Sequence, residues 1–229
     1  MIAQYFLRLF RRVSAFKKIV LTHDNALAVI HSRVDLRFGK GSQVILNNGQ
    51  FRIGYSLPGT VSYAAFPNTV IQLDEGAQII CDGPVIIAPG ATIRVGKGAT
   101  LRFGGENNIA HNLTLLCRKE IQIGEGASIS WSVTLIDDDG HRFSDLEGNG
   151  LRKFPKPLII GKYTGIQMGV MIPSGVSIGS RAVIAAGTVL RQDVPAECTA
   201  FTEAGLKIKS GWMAPGVATA NALEKAVDA

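Results

Sequence analysis

The segment IGKYTGIQMGVMIPSGVSIGSRAVIAAGTVLRQDVP, residues 160–195, decides the fold of this chain. Large aliphatic residues recur in it at every sixth position, and a second small or β-branched residue stands four places after each of the first five. The two sets are Ile160, Ile166, Ile172, Ile178, Ile184 and Leu190, and Thr164, Val170, Val176, Ala182 and Thr188. A period of six matches neither the 3.6 residues of an α-helix nor the alternation of a flat strand. It predicts short strands joined by turns, in a chain that coils and stacks its aliphatic residues in columns.

The same pattern extends towards the N-terminus in a looser form. Five eight-residue phrases share an apolar first residue, Gly at the fourth place, Ser or Ala at the fifth and an aliphatic at the seventh. They are FGKGSQVI (38–45), LDEGAQII (73–80), IAPGATIR (87–94), VGKGATLR (95–102) and IGEGASIS (123–130). A Gly at this place allows a turn with positive φ or a close backbone approach. The register slips by two residues at Val95, Phe103 and Ile123, which predicts sides longer than six residues there. Residues 46–72 carry a weaker pattern, typical of irregular coils or of an excursion.

Composition agrees with an all-β chain that forms one sizeable core. Of 229 residues, 46% are hydrophobic and 18% are charged, which excludes a disordered chain. Aromatic residues make up only 7%, and the 26 Gly residues favour many turns between short aliphatic strands. The sequence therefore predicts an all-β fold, a parallel β-helix of hexapeptide repeats.

The net charge of +6 belongs to one end of the chain. Residues 1–40 hold eight Lys and Arg residues against two acids, and the remainder is balanced, so the charge gives no argument for nucleic-acid binding by the whole domain. Residues 2–20 repeat apolar side chains at spacings of three and four, with Arg8, Arg11 and Arg12 mostly on the other side. This pattern predicts a basic amphipathic α-helix. The helix either lies on an anionic membrane surface or packs on its own domain or a partner subunit, and the sequence leaves both readings open.

The sequence predicts three regions and a cytoplasmic location. Residues 1–30 form the basic amphipathic segment, residues 31–200 form the β-helix with an extruded loop at 137–158, and residues 201–229 form a short C-terminal tail. No apolar run is long enough for a secretory signal or a membrane span. The three cysteines, Cys81, Cys117 and Cys198, are far apart and are expected to be reduced, buried thiols.

One histidine stands in a sequence context that suggests chemistry. His141 follows Asp137, Asp138 and Asp139 and opens a Gly-rich polar loop that interrupts the hexads. Loops on a rigid framework often carry functional sites, and a carboxylate can orient an imidazole that acts as a general base. Asp139 is the first candidate for the orienting acid and Asp137 the second. An ordinary acidic turn with a solvated histidine is the alternative.

Two segments together resemble the hexapeptide-repeat acyltransferases, most closely the sugar and polysaccharide O-acetyltransferases. They are DDDGHRF (137–143), which is similar to the Asp-x-Asp-x-His segment of that family, and residues 160–195, which are similar to its closing coils. The resemblance implies a left-handed coil, a homotrimer, acetyl-CoA as acyl donor without a metal, and His141 as the catalytic base. It implies a carbohydrate acceptor, such as a capsule or O-antigen polysaccharide.

The resemblance also suggests binding residues. Gln167 and the small residues Ala185, Ala186 and Gly187 fall where the family lines its cofactor groove. Candidate partners of the CoA phosphates are Arg181, Arg191, Lys207 and Lys209, although a solvated β-helix exterior carries such residues too. Trp131 is a candidate for stacking on a sugar ring, with a buried or subunit-facing role as the alternative, and Arg152 in the loop is a candidate acceptor contact.

Three other functions remain in competition. An N-acetyltransferase acting on a nucleotide-linked amino sugar would use the same fold and base. A non-catalytic trimeric scaffold is an alternative because Gly165, Gln167 and residues 202–205 differ from the usual family pattern. A zinc enzyme of the carbonic anhydrase type needs three histidines, whereas only His111 and His141 fall within the repeats, so no stoichiometric zinc is expected.

Overall fold

The structure, a computed structural model, describes residues 18–56, 67–138 and 156–202, and every helix or strand assigned within these ranges is a β-strand. The strands are short, between two and five residues each. In chain order they are β1 (Ile19–Leu21), β2 (Leu27–Ile30), β3 (Val34–Phe38), β4 (Gln43–Leu46), β5 (Gln50–Ile53), β6 (Thr69–Leu73), β7 (Gln78–Cys81), β8 (Val85–Ile87), β9 (Thr92–Val95), β10 (Thr100–Phe103), β11 (Asn107–Ile109), β12 (Thr114–Cys117), β13 (Glu120–Ile123), β14 (Ser128–Ile129), β15 (Thr134–Ile136), β16 (Leu158–Ile160), β17 (Gly165–Ile166), β18 (Met171–Ile172), β19 (Ser177–Ile178), β20 (Val183–Ile184) and β21 (Thr199–Ala200).

The strands form three parallel sheets, which are the three faces of a coiled prism. Face one holds β1, β4, β7, β10, β13, β16 and β19; face two holds β2, β5, β8, β11, β14, β17, β20 and β21; and face three holds β3, β6, β9, β12, β15 and β18. Each full coil gives one strand to each face. Isolated parallel bridges from Met171 to Val189 and from Ile178 to Val194 continue faces three and one beyond their last strands. The prediction of an all-β parallel β-helix is confirmed.

Coil length changes along the chain. Leu101 on face one pairs with Ile79, 22 residues earlier, and with Ile121, 20 residues later. Near the C-terminus, Ile160 pairs with Ile178, only 18 residues away. The early four-residue strands turn two side chains inward, Leu101 and Phe103 in β10, whereas the late two-residue strands turn one inward. The predicted two-residue slips are therefore the second inward position of the longer strands.

The core is a continuous set of aliphatic columns along the axis. All eleven residues that the hexad pattern placed inward are buried, from Ile160 and Ile172 to the polar Thr164 and Thr188. Gly fourth in each eight-residue phrase has a positive φ, between 65° and 84°, at Gly41, Gly76, Gly90, Gly98 and Gly126. The small residue after each of these glycines is buried, from Ser42 at the first to Ala127 at the last. The phrases therefore encode a left-handed turn followed by an inward-facing small side chain.

Three expectations about the chain need correction. Strands β1 and β2 lie within the stretch assigned to the N-terminal segment and pair in register with β4 and β5, so the parallel sheets begin at Ile19. The predicted helix over 2–20 lies outside the described residues except for its last three, and Ile19 and Val20 are strand because they bond to the next coil. Cys198 is exposed, unlike Cys81 and Cys117, because it lies in the last corner of the prism.

Two inserts, whose own structure is not described, begin and end at corners of the prism and not within strands. Residues 57–66 lie between β5 and β6, and residues 139–155 lie between β15 and β16. Both ranges fall outside the described residues. The coils on either side of the second insert still pair in register, Ile121 with Leu158, although 37 residues separate them. The extruded loop predicted at 137–158 stays a prediction for residues 139–155, whereas Asp137 and Asp138 are buried in the prism and Leu158 belongs to β16.

Substitution of Ile172 by Asp is expected to prevent folding. Ile172 is 0% exposed, and an unpaired carboxylate in its column costs on the order of several kcal/mol. The control is Met171→Asp, because Met171 is the adjacent residue of β18 and points outward with 43% exposure. Soluble yield and thermal unfolding followed by circular dichroism distinguish the two variants. A normally melting Ile172→Asp protein would contradict the register.

Candidate active site

The turns between faces two and three form a corner, the two–three corner, that collects several predicted site residues. It consists of residues 54–56, 88–91, 110–113, 130–133, 167–170 and 185–188, which follow the face-two strands. Backbone hydrogen bonds connect successive turns. The N–H groups of Ser132, Gly169 and Gly187 donate to the carbonyl oxygens of His111, Trp131 and Met168, each at 2.9 Å. The turns that contain Trp131, Gln167 and Gly187 therefore stack on one another along one edge of the prism.

The two last turns of this corner are small and open. The Ala186 N–H donates to Gln167 Oε1 at 3.1 Å, which holds the glutamine side chain across the turn. Gly187 has a φ of 70°, and a Cβ built on it would meet no atom of the described residues within 4 Å. Exposed apolar side chains flank these turns, with Met168 57%, Met171 43% and Val189 45% accessible. The structure thus brings Gln167, Ala185, Ala186 and Gly187 together at one corner, and their role in cofactor binding stays a prediction.

Trp131 lies one coil below this open region and contacts a buried histidine. The ring centroids of His111 and Trp131 are 5.2 Å apart at an interplanar angle of 68°, an edge-to-face arrangement. His111 is fully buried, and Ser56 Oγ lies 3.4 Å from its Nε2. Burial lowers the pKa of the His111 imidazole below its ordinary value, which favours the neutral ring. Sequence analysis gave His111 no role, although the 20-residue coil that separates it from Trp131 is a signal that predicts their stacking.

Asp137 lies at the opposite edge of face three, in the corner between faces three and one, and its contacts are structural. The N–H of Arg118 donates to Asp137 Oδ1 at 2.6 Å, and the N–H groups of Lys119 and Glu120 donate to Oδ2 at 2.7 and 2.8 Å. The carboxylate is fully buried. Burial raises the pKa of the Asp137 carboxyl above its usual range, and the three N–H donors act in the opposite direction. Both oxygens are engaged in closing the turn of the preceding coil, which gives Asp137 an anchoring role.

The remaining predicted site residues are placed less completely. Asp138 is 3% exposed and is the last described residue before 139–155. His141, Asp139 and Arg152 lie in that insert, and Lys207 lies beyond residue 202, all outside the described residues. Arg191 is exposed. It follows Val189, whose bridge to Met171 ends face three, and so it lies on the same edge as Asp138. Arg191 is therefore not grouped with Gln167 within one chain.

The two parts of the candidate site occupy opposite edges of face three. Gln167 and Ala186 lie at the two–three corner, whereas Asp138 and Lys156, which bracket the insert, lie at the corner between faces three and one. A side of six residues spans at most about 20 Å at about 3.3 Å per residue. The attachment of the insert and the open corner therefore lie at the two ends of one side of the prism, on different edges of a single chain.

The described part of the chain contains no group of three His, Cys, Asp or Glu side chains arranged to hold a metal ion. Across residues 18–56, 67–138 and 156–202, no helix is long and apolar enough to cross a bilayer.

Known proteins match parts of this chain. Residues 157–192 match the family described as bacterial transferase hexapeptide (six repeats). These coils are hexapeptide repeats. The galactoside O-acetyltransferase of Escherichia coli (strain K12) is 30% identical over 120 residues, which cover 52% of this chain and 55% of that protein. The galactoside O-acetyltransferase of Lactococcus lactis subsp. lactis (strain IL1403) is 32% identical over 105 residues, 45% of this chain and 50% of that protein.

These matches confirm the resemblance to hexapeptide-repeat acyltransferases, and the family match at 157–192 overlaps the closing coils at 160–195 that carried it. The chain spans about half the length of the two galactoside O-acetyltransferases that it matches. Among solved structures, the polySia-specific acetyltransferase NeuO aligns with a TM-score of 0.46 and 22% identity, over 80% of this chain and 76% of that one.

Substitution of Asp137 by Asn is expected to destabilise the hexapeptide coils without changing the chemistry of the folded protein. An amide offers one acceptor oxygen and turns an NH₂ group towards a backbone donor, so at least one buried N–H loses its partner, at a cost of about 1–3 kcal/mol. Asp193→Asn is the control, because Asp193 accepts a single bond from the Ser177 N–H at an exposed position. Chemical denaturation measures the free energy of unfolding. A stable Asp137→Asn variant with greatly reduced turnover would instead support an orienting role for Asp137.

Proposed function

We propose that this protein is an acetyl-CoA-dependent O-acetyltransferase that modifies a hydroxyl of a sugar or of a cell-surface polysaccharide. The observation that carries the proposal is the open two–three corner at Gln167, Ala186 and Gly187. It lies within residues 157–192, the part that matches hexapeptide transferases, and directly above Trp131. The similarity to two galactoside O-acetyltransferases supports the same activity.

His141 is proposed as the general base. Its imidazole takes the proton of the acceptor hydroxyl as the oxygen attacks the acetyl carbonyl, and it returns that proton to the departing thiolate sulfur. Asp139 accepts a hydrogen bond from the other ring nitrogen and so fixes the tautomer and stabilises the imidazolium. The buried Asp137 and Asp138 support this role because they hold the beginning of the insert on a rigid coil.

The two–three corner suits the narrow chain of a CoA thioester. Ala185, Ala186 and Gly187 carry little or no side chain, and no described residue fills the space beside Gly187. Acetyl-CoA supplies the activated acetyl group. The neighbouring Met168 and Val189 offer apolar contact, and Lys207 and Arg191 are proposed to meet the phosphates by charge-assisted hydrogen bonds. Trp131 and Arg152 are proposed as acceptor contacts.

A homotrimer with a left-handed coil is proposed as the working form. The insert carrying His141 is attached at one edge of face three, and the open corner lies at the other edge, so a second copy can bring the two parts together. Arg191 lies on the insert edge and would then approach the corner of a neighbouring copy. A site shared between two copies explains why Arg191 and Gln167 lie on different edges of one chain.

Replacement of His141 by Ala is expected to lower acetyl transfer by about 10²- to 10⁴-fold, the usual contribution of a general base. The oligomer should persist because the coils on either side of the insert pair with one another in register, Ile121 with Leu158. The control is His23→Ala, because His23 is exposed in the first coil, far from the hexapeptide match. The measurement is transfer of labelled acetyl groups from acetyl-CoA to a panel of sugars. Unchanged turnover in the His141 variant would remove His141 from the mechanism, and absence of both transfer and CoA binding in the wild type would remove the function.

Peripheral contact with an anionic membrane at the cytoplasmic face is also proposed for the N-terminal segment. Residues 1–17 hold Arg8, Arg11, Arg12 and Lys17 and no acidic residue, beside a predicted apolar stripe. Basic residues near an anionic bilayer each contribute about 1 kcal/mol. An enzyme held at this surface would meet polysaccharide precursors carried on lipid.

Deletion of residues 1–17 is expected to weaken binding to vesicles that contain anionic lipid and to leave the β-helix folded. The truncation keeps Lys18, whose Nζ donates to the Phe38 and Gly39 carbonyls, and it keeps β1. Vesicle co-sedimentation at low and high salt measures the effect, which should shrink as salt screens the charges. Full-length and truncated proteins that bind equally, with the truncated one dissociated into monomers, would assign the segment to subunit packing.

A further inference from the structure

The two–three corner contains one aromatic pair whose buried partner the mechanism above does not use. His111 and Trp131 occupy equivalent places in successive coils, since Ile109 and Ile129 two residues earlier pair in register. The Ser132 N–H donates to the His111 carbonyl oxygen at 2.9 Å, so the two turns are hydrogen-bonded to one another. The backbone therefore fixes the distance between the two side chains.

The two rings differ in their exposure. His111 is 0% exposed, whereas Trp131 is half-buried and reaches the surface of the corner. The rings meet edge to face at 5.2 Å and 68°, which is among the favoured geometries of aromatic pairs. Ser56 Oγ, 3.4 Å from His111 Nε2, restrains the imidazole from its other end. The histidine is thus a rigid support beneath a partly accessible indole.

A supported indole is well suited to binding a sugar ring. The flat apolar face of Trp packs against the C–H groups of a pyranose, and its N–H remains available to a polar partner. A side chain already fixed in one rotamer loses less conformational entropy when a ligand binds. The Trp131 carbonyl oxygen accepts a bond from the Gly169 N–H, which places this indole next to the turn that carries Gln167.

We infer that His111 is a positioning residue that holds the Trp131 indole as the platform for the acceptor sugar. This inference rests on the proposed O-acetyltransferase function. His111 touches neither the transferred group nor the thioester. Its contribution is to acceptor affinity and not to the chemical step.

The position of the indole is tested by fluorescence without any acceptor or turnover. The chain has two tryptophans, so the background variant Trp212→Phe leaves Trp131 as the only emitter. His111→Ala is expected to shift the Trp131 emission to longer wavelength and to increase its quenching by acrylamide, because the ring edge that packs on it is removed. His111→Phe keeps a ring edge there and is expected to restore both values. Leu115→Ala, an inward core truncation in the same coil, is the control for general destabilisation.

Steady-state kinetics test the role of the platform. His111→Ala is expected to raise the acceptor KM about tenfold, equivalent to about 1.4 kcal/mol, the scale of one aromatic pair. The kcat and the KM for acetyl-CoA should stay within about twofold, and His111→Phe should recover the acceptor KM. Trp131→Ala should reproduce the increase in acceptor KM. Leu115→Ala should lower the melting temperature without a selective increase in acceptor KM.

The possible results separate the inference from the proposed function. Emission unchanged in His111→Ala, or an equal loss in kcat and in the KM values of both substrates, would overturn the positioning role. A Trp131→Ala protein with wild-type acceptor KM would overturn the platform. If the wild-type protein transfers no acetyl group to any sugar, the proposed function fails, while sugar titrations of the Trp131 emission still decide whether the indole binds a sugar ring.

Discussion

The whole structure depends on the stacking of inward aliphatic side chains in parallel columns. Each coil must place its inward residue on that of the coil below, as Ile160 lies in register with Ile178, because an isolated coil of two-residue strands cannot bury its apolar side chains. The same register lets the backbone N–H and C=O groups of every inner coil bond to the coils above and below. Strand length, turn geometry and the location of inserts all follow from this requirement.

Corners are the only places where the chain can depart from the register without breaking the columns. The pairing of Ile121 with Leu158 across 37 residues shows that a long insert leaves the stacking intact when it begins and ends in a turn. The prism therefore acts as a rigid framework, and both inserts begin and end along its edges. This explains why the open corner and Asp138, the last described residue before the insert, both lie at the borders of face three.

Buried polar side chains have a specific task in these corners. Asp137 accepts three backbone N–H groups, and Asn107 closes another corner by donating from Nδ2 to the Gly124 carbonyl at 2.8 Å and accepting from the Gly105 N–H at 3.0 Å. Each side chain thus bonds to backbone N–H or C=O groups of a turn, which lie outside the hydrogen bonds between parallel strands. His111 belongs to the same class of inward corner residues, but its ring supports an indole that reaches the surface.

The sequence by itself determined the coil, the columns and the left-handed turns, because a hexad period states directly which side chains point inward and where glycine is needed. It also singled out Gln167 and residues 185–187, which the structure brings together, and His141, which lies outside the described residues. Tertiary structure alone decided that Asp137 binds the backbone of Arg118 to Glu120, that Ile19 belongs to a strand, and that His111 lies against Trp131. Local spacing encodes the direction of a side chain, but the length of each coil, and therefore which turns become neighbours, is set only when the strands pair.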